Sequence, residues 1–235
     1  MIGIDSTFAT TLEAYRLFFD ALGKSLYLFP TQEFLESVVS KKVFEEMPIE
    51  SEDESFMRGA SLLRSWSEAQ HGTLSDEHFH EVRIDATRLF AGTQTMAAPP
   101  WESVYFNKER MIFQKETLQV RAWYLHYGLQ IAQLNHEPED HIGLELDFVA
   151  HLLKCTLEAF EGGNKNQADE LLHETYQFIA EHPIRWIHQW AKQVQETATT
   201  DYFLGIALLV PAALDDLFDT LNRHLCMKDS AGNPA

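Results

Sequence analysis

Apolar residues recur along this chain at steps of three and four, the spacing of one buried helix face, and no stretch shows the alternation that a half-buried strand needs. A first helix is predicted from about Thr7 through "LEAYRLFFDAL" toward "SLYLF", where Pro30 stops it. Thr31 is placed to cap a second, with Glu33 near the positive end of its dipole. The acidic stretch 49–55 serves as linker and cap. Phe56, Ala60, Leu63 and Trp66 mark a third helix that stops at Gly72. Ser75 or Asp76 starts a fourth, whose inner face is Phe79, Val82, Ala86, Leu89 and Phe90 and which Gly92 ends.

Residues 92–106 break the period, contain a Pro-Pro pair and predict a surface loop carrying large aromatics. A long helix over 115–127 is stopped by Gly128. The next is expected over 138–160, with Pro138 in its first turn, acids at its positive end and Gly162-Gly163 closing it. Two more are expected over 166–181 and 183–196, and a last from about Thr200, bent at Pro211. The predicted fold is all-α: one irregular bundle of nine or ten helices over residues 1–225, followed by a disordered tail, 226–235.

The chain has 235 residues and a 45% apolar share, enough for a sizeable core. Its start lacks the basic, apolar and cleavage pattern of a secretory leader, so a cytoplasmic protein is expected. The longest apolar run, 202–214, is too short to span a bilayer, and no stable membrane insertion is expected. Two distant cysteines, Cys155 and Cys226, make neither a disulfide frame nor a zinc ligand set.

Charge changes the picture more. Asp and Glu number 36 against 18 Lys and Arg, a formal net charge of -18. Such a surface disfavours nucleic acid and favours a basic partner. Histidines in an acidic helical chain suggest a di-iron carboxylate site, which needs Glu-x-x-His on inward faces. Glu68/His71, Glu77/His80 and Glu170/His173 have the spacing, but the second and third pairs lie opposite their helices' apolar stripes and the first sits at a fraying end. His141 and Glu145, four apart, supply only two ligands where a firm site needs three or four. No catalytic residue, metal site or cofactor is assigned. A metal- or nucleotide-dependent helical enzyme, or a scaffold for another basic partner, remains the alternative.

Three segments carry a family resemblance: "DATRLFAG" (85–92), "PPWESVY" (99–105) and "NHEPEDHIG" (135–143), with "LYLFP" (26–30) a weaker fourth. Their order and spacing resemble the TorD/DmsD family of molybdoenzyme-maturation chaperones. The resemblance implies an all-helical, non-enzymatic chaperone, monomeric or reversibly dimeric. Such a chaperone binds the twin-arginine signal peptide, and the catalytic core, of a molybdenum-cofactor reductase such as a dimethyl-sulfoxide or trimethylamine-oxide reductase. Export is thereby held back until the cofactor is inserted. Carried over by position, the signal-peptide site comprises Pro99, Pro100, Trp101 and Tyr105 with Glu137, Pro138, Asp140 and His141. A twin-arginine leader joins a basic front to an apolar middle. Glu137, Glu139 and Asp140 are then expected to grip the arginines, and Trp101, Tyr105, Phe106 and Leu89 to line an apolar groove. Replacing Asp140 or His141 by Ala is expected to weaken leader binding and leave the fold intact.

Overall fold

Side-chain caps fix where many of the helices begin. In the computed structural model, which describes residues 4–91, 96–131 and 137–231, with side chains through Cys226, six N-cap residues accept a backbone N–H from the first turn. They are Asp5, Thr31, Asp53, Ser75, His141 and Asn164, each contributing about 1 kcal/mol in typical settings. The helices they open are α1 (Ser6–Tyr27), α2 (Gln32–Ser40), α3 (Glu54–Ala69), α4 (Asp76–Phe90), α7 (Ile142–Glu161) and α8 (Lys165–Glu181). Between them lie a one-turn α5 (Ser103–Phe106) and α6 (Lys115–His126); a 3-10 turn (Pro183–Arg185), α9 (Ile187–Thr197) and α10 (Asp201–Ala231) follow. No strand occurs among the described residues, and the fold is all-α as expected.

Two close crossings organise the bundle, α1 along α7 and α3 along α10. Glycines permit both. A Cβ on Gly143 would lie 2.6 Å from the backbone nitrogen of Tyr27, and one on Gly23 would lie 2.9 Å from the Gly143 carbonyl oxygen. At the second crossing a Cβ on Gly59 would lie 2.8 Å from the Gly205 oxygen. Around these contacts α10 supplies a nearly continuous buried face, including Tyr202, Phe203, Ile206, Leu209, Val210, Leu214 and Leu217. Trp186 and Trp190 from the α9 region pack into the same core. Truncating one such aromatic typically costs about 3–5 kcal/mol.

Several expected boundaries move. The helix expected from Pro138 begins instead at Ile142, with His141 as its cap, so Pro138 and the acids beside it precede the helix rather than form its first turn. The segment expected to run as one helix from Pro183 makes a 3-10 turn first. Pro211 lies inside α10, and that helix continues to Ala231, beyond the start of the expected tail at 226. Gly92, Asn135, His136 and residues 232–235 lie outside the described residues. The loop expected over 92–106 is not wholly a surface loop: Ala98, Pro99 and Pro100 are buried, and Ser103–Phe106 forms α5.

Candidate functional site

The motif "DATRLFAG" ends α4 and holds a corner of the bundle. Asp85 is fully buried, and its Oδ2 accepts from the backbone N–H groups of Thr199 and Thr200, both at 2.9 Å, and from the Thr200 hydroxyl at 2.8 Å. Its Oδ1 accepts from Arg88 at 2.7 Å, and Arg88 also donates to the Thr197 carbonyl. A carboxylate thus occupies the positive end of α10, where the helix dipole favours it, and joins that end to α4. Past this corner α4 closes with Phe90 and Ala91.

The two later motifs are stitched into one unit. Glu102 N–H donates to the Asp140 carbonyl at 2.9 Å, and Ile142 N–H donates to the Pro100 carbonyl at 2.8 Å, giving an antiparallel bridge between Trp101 and His141. The Asp140 side chain completes the joint. Its Oδ2 accepts from Ser103 N–H at 2.7 Å, and its Oδ1 accepts from the Thr117 hydroxyl at 2.7 Å. Burial pushes the Asp140 carboxyl upward while the bonds from Ser103 and Thr117 pull it back.

His141 is buried and held neutral, its pKa pushed down to about 3 by burial. Nδ1 accepts from Gly143 N–H at 3.0 Å, which places the ring proton on Nε2. Tyr27 and Trp101 meet the ring edge-on, at centroid distances of 5.5 and 5.9 Å. Two neighbouring acids are already engaged. Glu139 is buried and takes Arg121 in a forked pair at 2.6 and 3.1 Å. Glu137 is half-buried and accepts from the Tyr27 hydroxyl at 2.9 Å, raising the tyrosine to about 12 after burial, the larger cause.

Beneath the bridge lies a second carboxyl pair: Glu102, which the sequence did not single out, and Glu145, weighed there only as a metal-ligand partner of His141. Glu102 and Glu145 are both fully buried. Glu102 Oε2 sits 2.8 Å from His182 Nδ1, and Glu145 Oε2 accepts from the Trp186 indole N–H at 3.2 Å. Burial, then the nearness of Glu102 and Asp140, holds the Glu145 carboxyl well above the usual range. Burial raises Glu102 as well, while His182 pulls it back, so of the two carboxyls Glu145 is the one whose neutral form the site favours more.

All four motifs meet at one cavity of about 170 Å³. Tyr27 is the last residue of α1 and Phe29 follows it, Phe90 comes from α4, Trp101 from the Pro-Pro-Trp segment, and Glu137 and His141 from the turn before α7. Pro100 and Ala86 also contribute to its wall. Of the residues named from the sequence, the structure gathers Pro100, Trp101, Glu137 and His141 here and leaves the others elsewhere. Leu89 is fully buried in the core and not in this wall, because α4 turns it toward the bundle axis. Pro99 and Pro138 are buried supports. Tyr105 packs on Trp186 at 5.0 Å and donates to the Pro99 carbonyl at 2.9 Å, bracing the segment from behind. Phe106 lies on the surface under the Arg185 guanidinium, 4.4 Å from its ring centre. Asp140 and Glu139 are not free receivers, since each is buried and committed to internal donors. Among the described residues no group of three or more His, Cys, Asp and Glu side chains is placed to hold a metal ion, and no helix is long and apolar enough to cross a membrane.

Residues 54–192 match the family model described as nitrate reductase delta subunit, and the chain belongs to this family, that of the TorD and DmsD proteins. It is 30% identical over 121 residues to the "Probable Tat proofreading chaperone DmsD" of Haemophilus influenzae, covering 52% of each chain. The "Tat proofreading chaperone DmsD" of Salmonella typhimurium is 26% identical over 144 residues, 56% of this chain and 64% of that one. The "Chaperone protein TorD" of Vibrio cholerae is 28% identical over 145 residues, 59% of this chain and 64% of that one. The alignments thus span less than two-thirds of these relatives' lengths.

Proposed function

We propose that this chain is a cytoplasmic maturation chaperone that binds the twin-arginine signal peptide of a molybdoenzyme and holds back export until the cofactor is inserted, with no chemistry of its own. The observation that carries the proposal is the convergence of four motifs, scattered from residue 26 to residue 143, on the single cavity under Trp101. The relatives named as Tat proofreading chaperones support the same assignment.

The cavity has room for one large side chain rather than a whole leader, so a residue of the leader's apolar middle is the group it takes. Glu137, half-buried at its wall, accepts from Tyr27 through Oε2 and keeps Oε1 for an arginine, whereas both oxygens of Asp140 and of Glu139 are occupied. A net charge of -18 draws a basic leader in and makes its capture sensitive to salt. The protein acts as a monomer or a reversible homodimer on this reading.

Calorimetric titration with a twin-arginine leader peptide from a dimethyl-sulfoxide or trimethylamine-oxide reductase tests the assignment, with a Lys-Lys version as control. Saturable one-to-one binding that weakens on the Lys-Lys change, and again in Trp101→Ala, supports it. Binding indifferent to both changes, or none, removes the leader from this cavity.

A further inference from the structure

A second surface differs from the first in both position and charge. Six of the eleven large apolar side chains left exposed among the described residues fall between Phe106 and Leu125. Leu118 and Leu125 are 59% and 58% exposed. With Ala122 they occupy positions i, i+7 and i+4 of α6, one stripe on the face opposite the buried Val120 and Tyr124. Met111, Ile112 and Phe113, just ahead of α6 in the chain, are exposed as well.

These residues sit on a built turn. Asn107 Nδ2 donates to the carbonyls of Ser103 and Met111 at 2.6 and 2.8 Å, and its Oδ1 accepts from Met111 N–H at 2.8 Å. Arg110 and Phe113 both adopt left-handed backbone, φ 53° and 59°, which side chains other than glycine rarely do. The turn therefore holds Met111 to Phe113 outward at a conformational cost, where a looser segment would let them fold back onto the surface.

Charge reverses here. In a chain with twice as many acids as bases, the exposed ionisable groups from Phe106 to Lys115 are Lys108, Arg110 and Lys115 against Glu109 alone. Arg185 adds a fourth cation over Phe106, and Glu116, the acid nearest Lys115 at 3.6 Å, is buried. Beside Ala122 the stripe is flanked by Glu174 and Glu181 of α8, so the cations rim it at the Phe106–Lys115 end, and that end complements a segment whose carboxylates meet it there. A twin-arginine leader is the wrong class for it. An anionic membrane is disfavoured as well, because the rest of this molecule repels it.

We propose that the α5–α6 face is a second docking surface, for a partner-protein segment in which apolar side chains are flanked by carboxylates. It lies outside the cavity under Trp101 and shares none of that cavity's residues, so it can be engaged while a basic peptide occupies the cavity. It stands independently of whether the leader reading holds.

Panning a phage-displayed random-peptide library on the intact protein tests this. The expected result is an enriched class that pairs Leu or Phe with Asp or Glu. Synthetic members of that class should bind at least tenfold more weakly to Leu118→Ser/Leu125→Ser and to Lys115→Glu, and more weakly in higher salt. Affinity for the twin-arginine leader should be unchanged in both variants. Every substituted side chain is exposed, and thermal melts confirm that the variants fold. If no acidic apolar class appears, or its binding ignores these substitutions, the proposal falls. It also falls if sedimentation shows a dimer that the double variant dissociates, which would make the face a contact between copies. Binding to phosphatidylglycerol vesicles that is lost in the double variant would assign it to lipid and overturn it likewise.

Discussion

Ser103 donates its backbone N–H to Asp140 Oδ2 at 2.7 Å, across 37 positions of chain and out of contact with water. Asp140 therefore acts as a rivet between α5, α6 and the turn before α7, and its carboxylate does not face a ligand. Asp140→Ala leaves the Ser103 N–H and the Thr117 hydroxyl buried without their acceptor, which typically costs about 1–3 kcal/mol for each such group. Denaturant melts should show a loss on the order of 3 kcal/mol. The sequence reading expected this substitution to spare the fold, and a stability within about 0.5 kcal/mol of the parent would restore that expectation.

His141 makes stability depend on pH in a definite direction. Its folded pKa, about 3, lies below the unfolded value of 6.5, so the unfolded chain takes up the proton first. The stability it contributes is complete above pH 6.5 and declines as pH falls from there toward 3. By linkage the loss reaches about 2 kcal/mol at pH 5. His141→Asn keeps a side-chain acceptor for Gly143 N–H and removes the titration. Its stability should fall less than the parent's between pH 7 and pH 5, by roughly that 2 kcal/mol, in paired urea melts.

Glu145 works in the other sense. Its folded pKa is raised above the unfolded value, so the folded state holds the extra proton and stability is lost as pH rises through the folded pKa. Glu145→Gln keeps an acceptor for the Trp186 indole and has no titratable proton. Thermal melts at pH 8 should show it equal to the parent or above it by on the order of 1 kcal/mol, a shift of about 2–4 °C. At pH 5 the advantage should vanish. A variant that is markedly less stable at both values would mean that Glu145 is ionised in the fold.

Gly143→Ala places a Cβ 2.6 Å from the Tyr27 backbone nitrogen. Neither helix backbone can yield without opening the α1–α7 crossing, so destabilisation of at least about 2 kcal/mol is expected. Tyr27 moves with it, and leader affinity should fall as well. Gly163→Ala offers a comparison at a helix end, where φ is 76° and nothing crowds the added carbon. Its cost should be about 1 kcal/mol, with leader affinity unchanged.

Helices were readable from the sequence wherever their signals were local. Thr31 and Ser75 cap where they were expected to, and Phe79, Val82, Ala86 and Leu89 form the buried face of α4. The site was harder to read because its geometry depends on partners far away in the chain. Pro138 with its neighbouring acids has the composition of a helix start. Yet Asp140 is turned toward Ser103 and Thr117, and Glu139 toward Arg121, and no local pattern encodes those choices. Glu102 and Glu145 would be placed on the surface by their charge alone. His182 and Arg185 beside Glu102, and the Trp186 indole on Glu145, are distant partners that help make their burial tolerable. The motif match located segments that meet at one cavity, without separating the residues that line it from those that brace it.

The cavity wall includes Ser25 near the end of α1 and Phe203 near the start of α10. Nearly the whole chain must therefore be folded before a ligand has anywhere to sit, and no fragment short of that can compete for it. Occupancy and global stability are then thermodynamically linked: a ligand at one hundred times its Kd should raise the unfolding free energy of the entire bundle by about 2.7 kcal/mol. On the proposed reading a bound leader would in this way stabilise the protein that holds it, and the empty form would be the more readily degraded one.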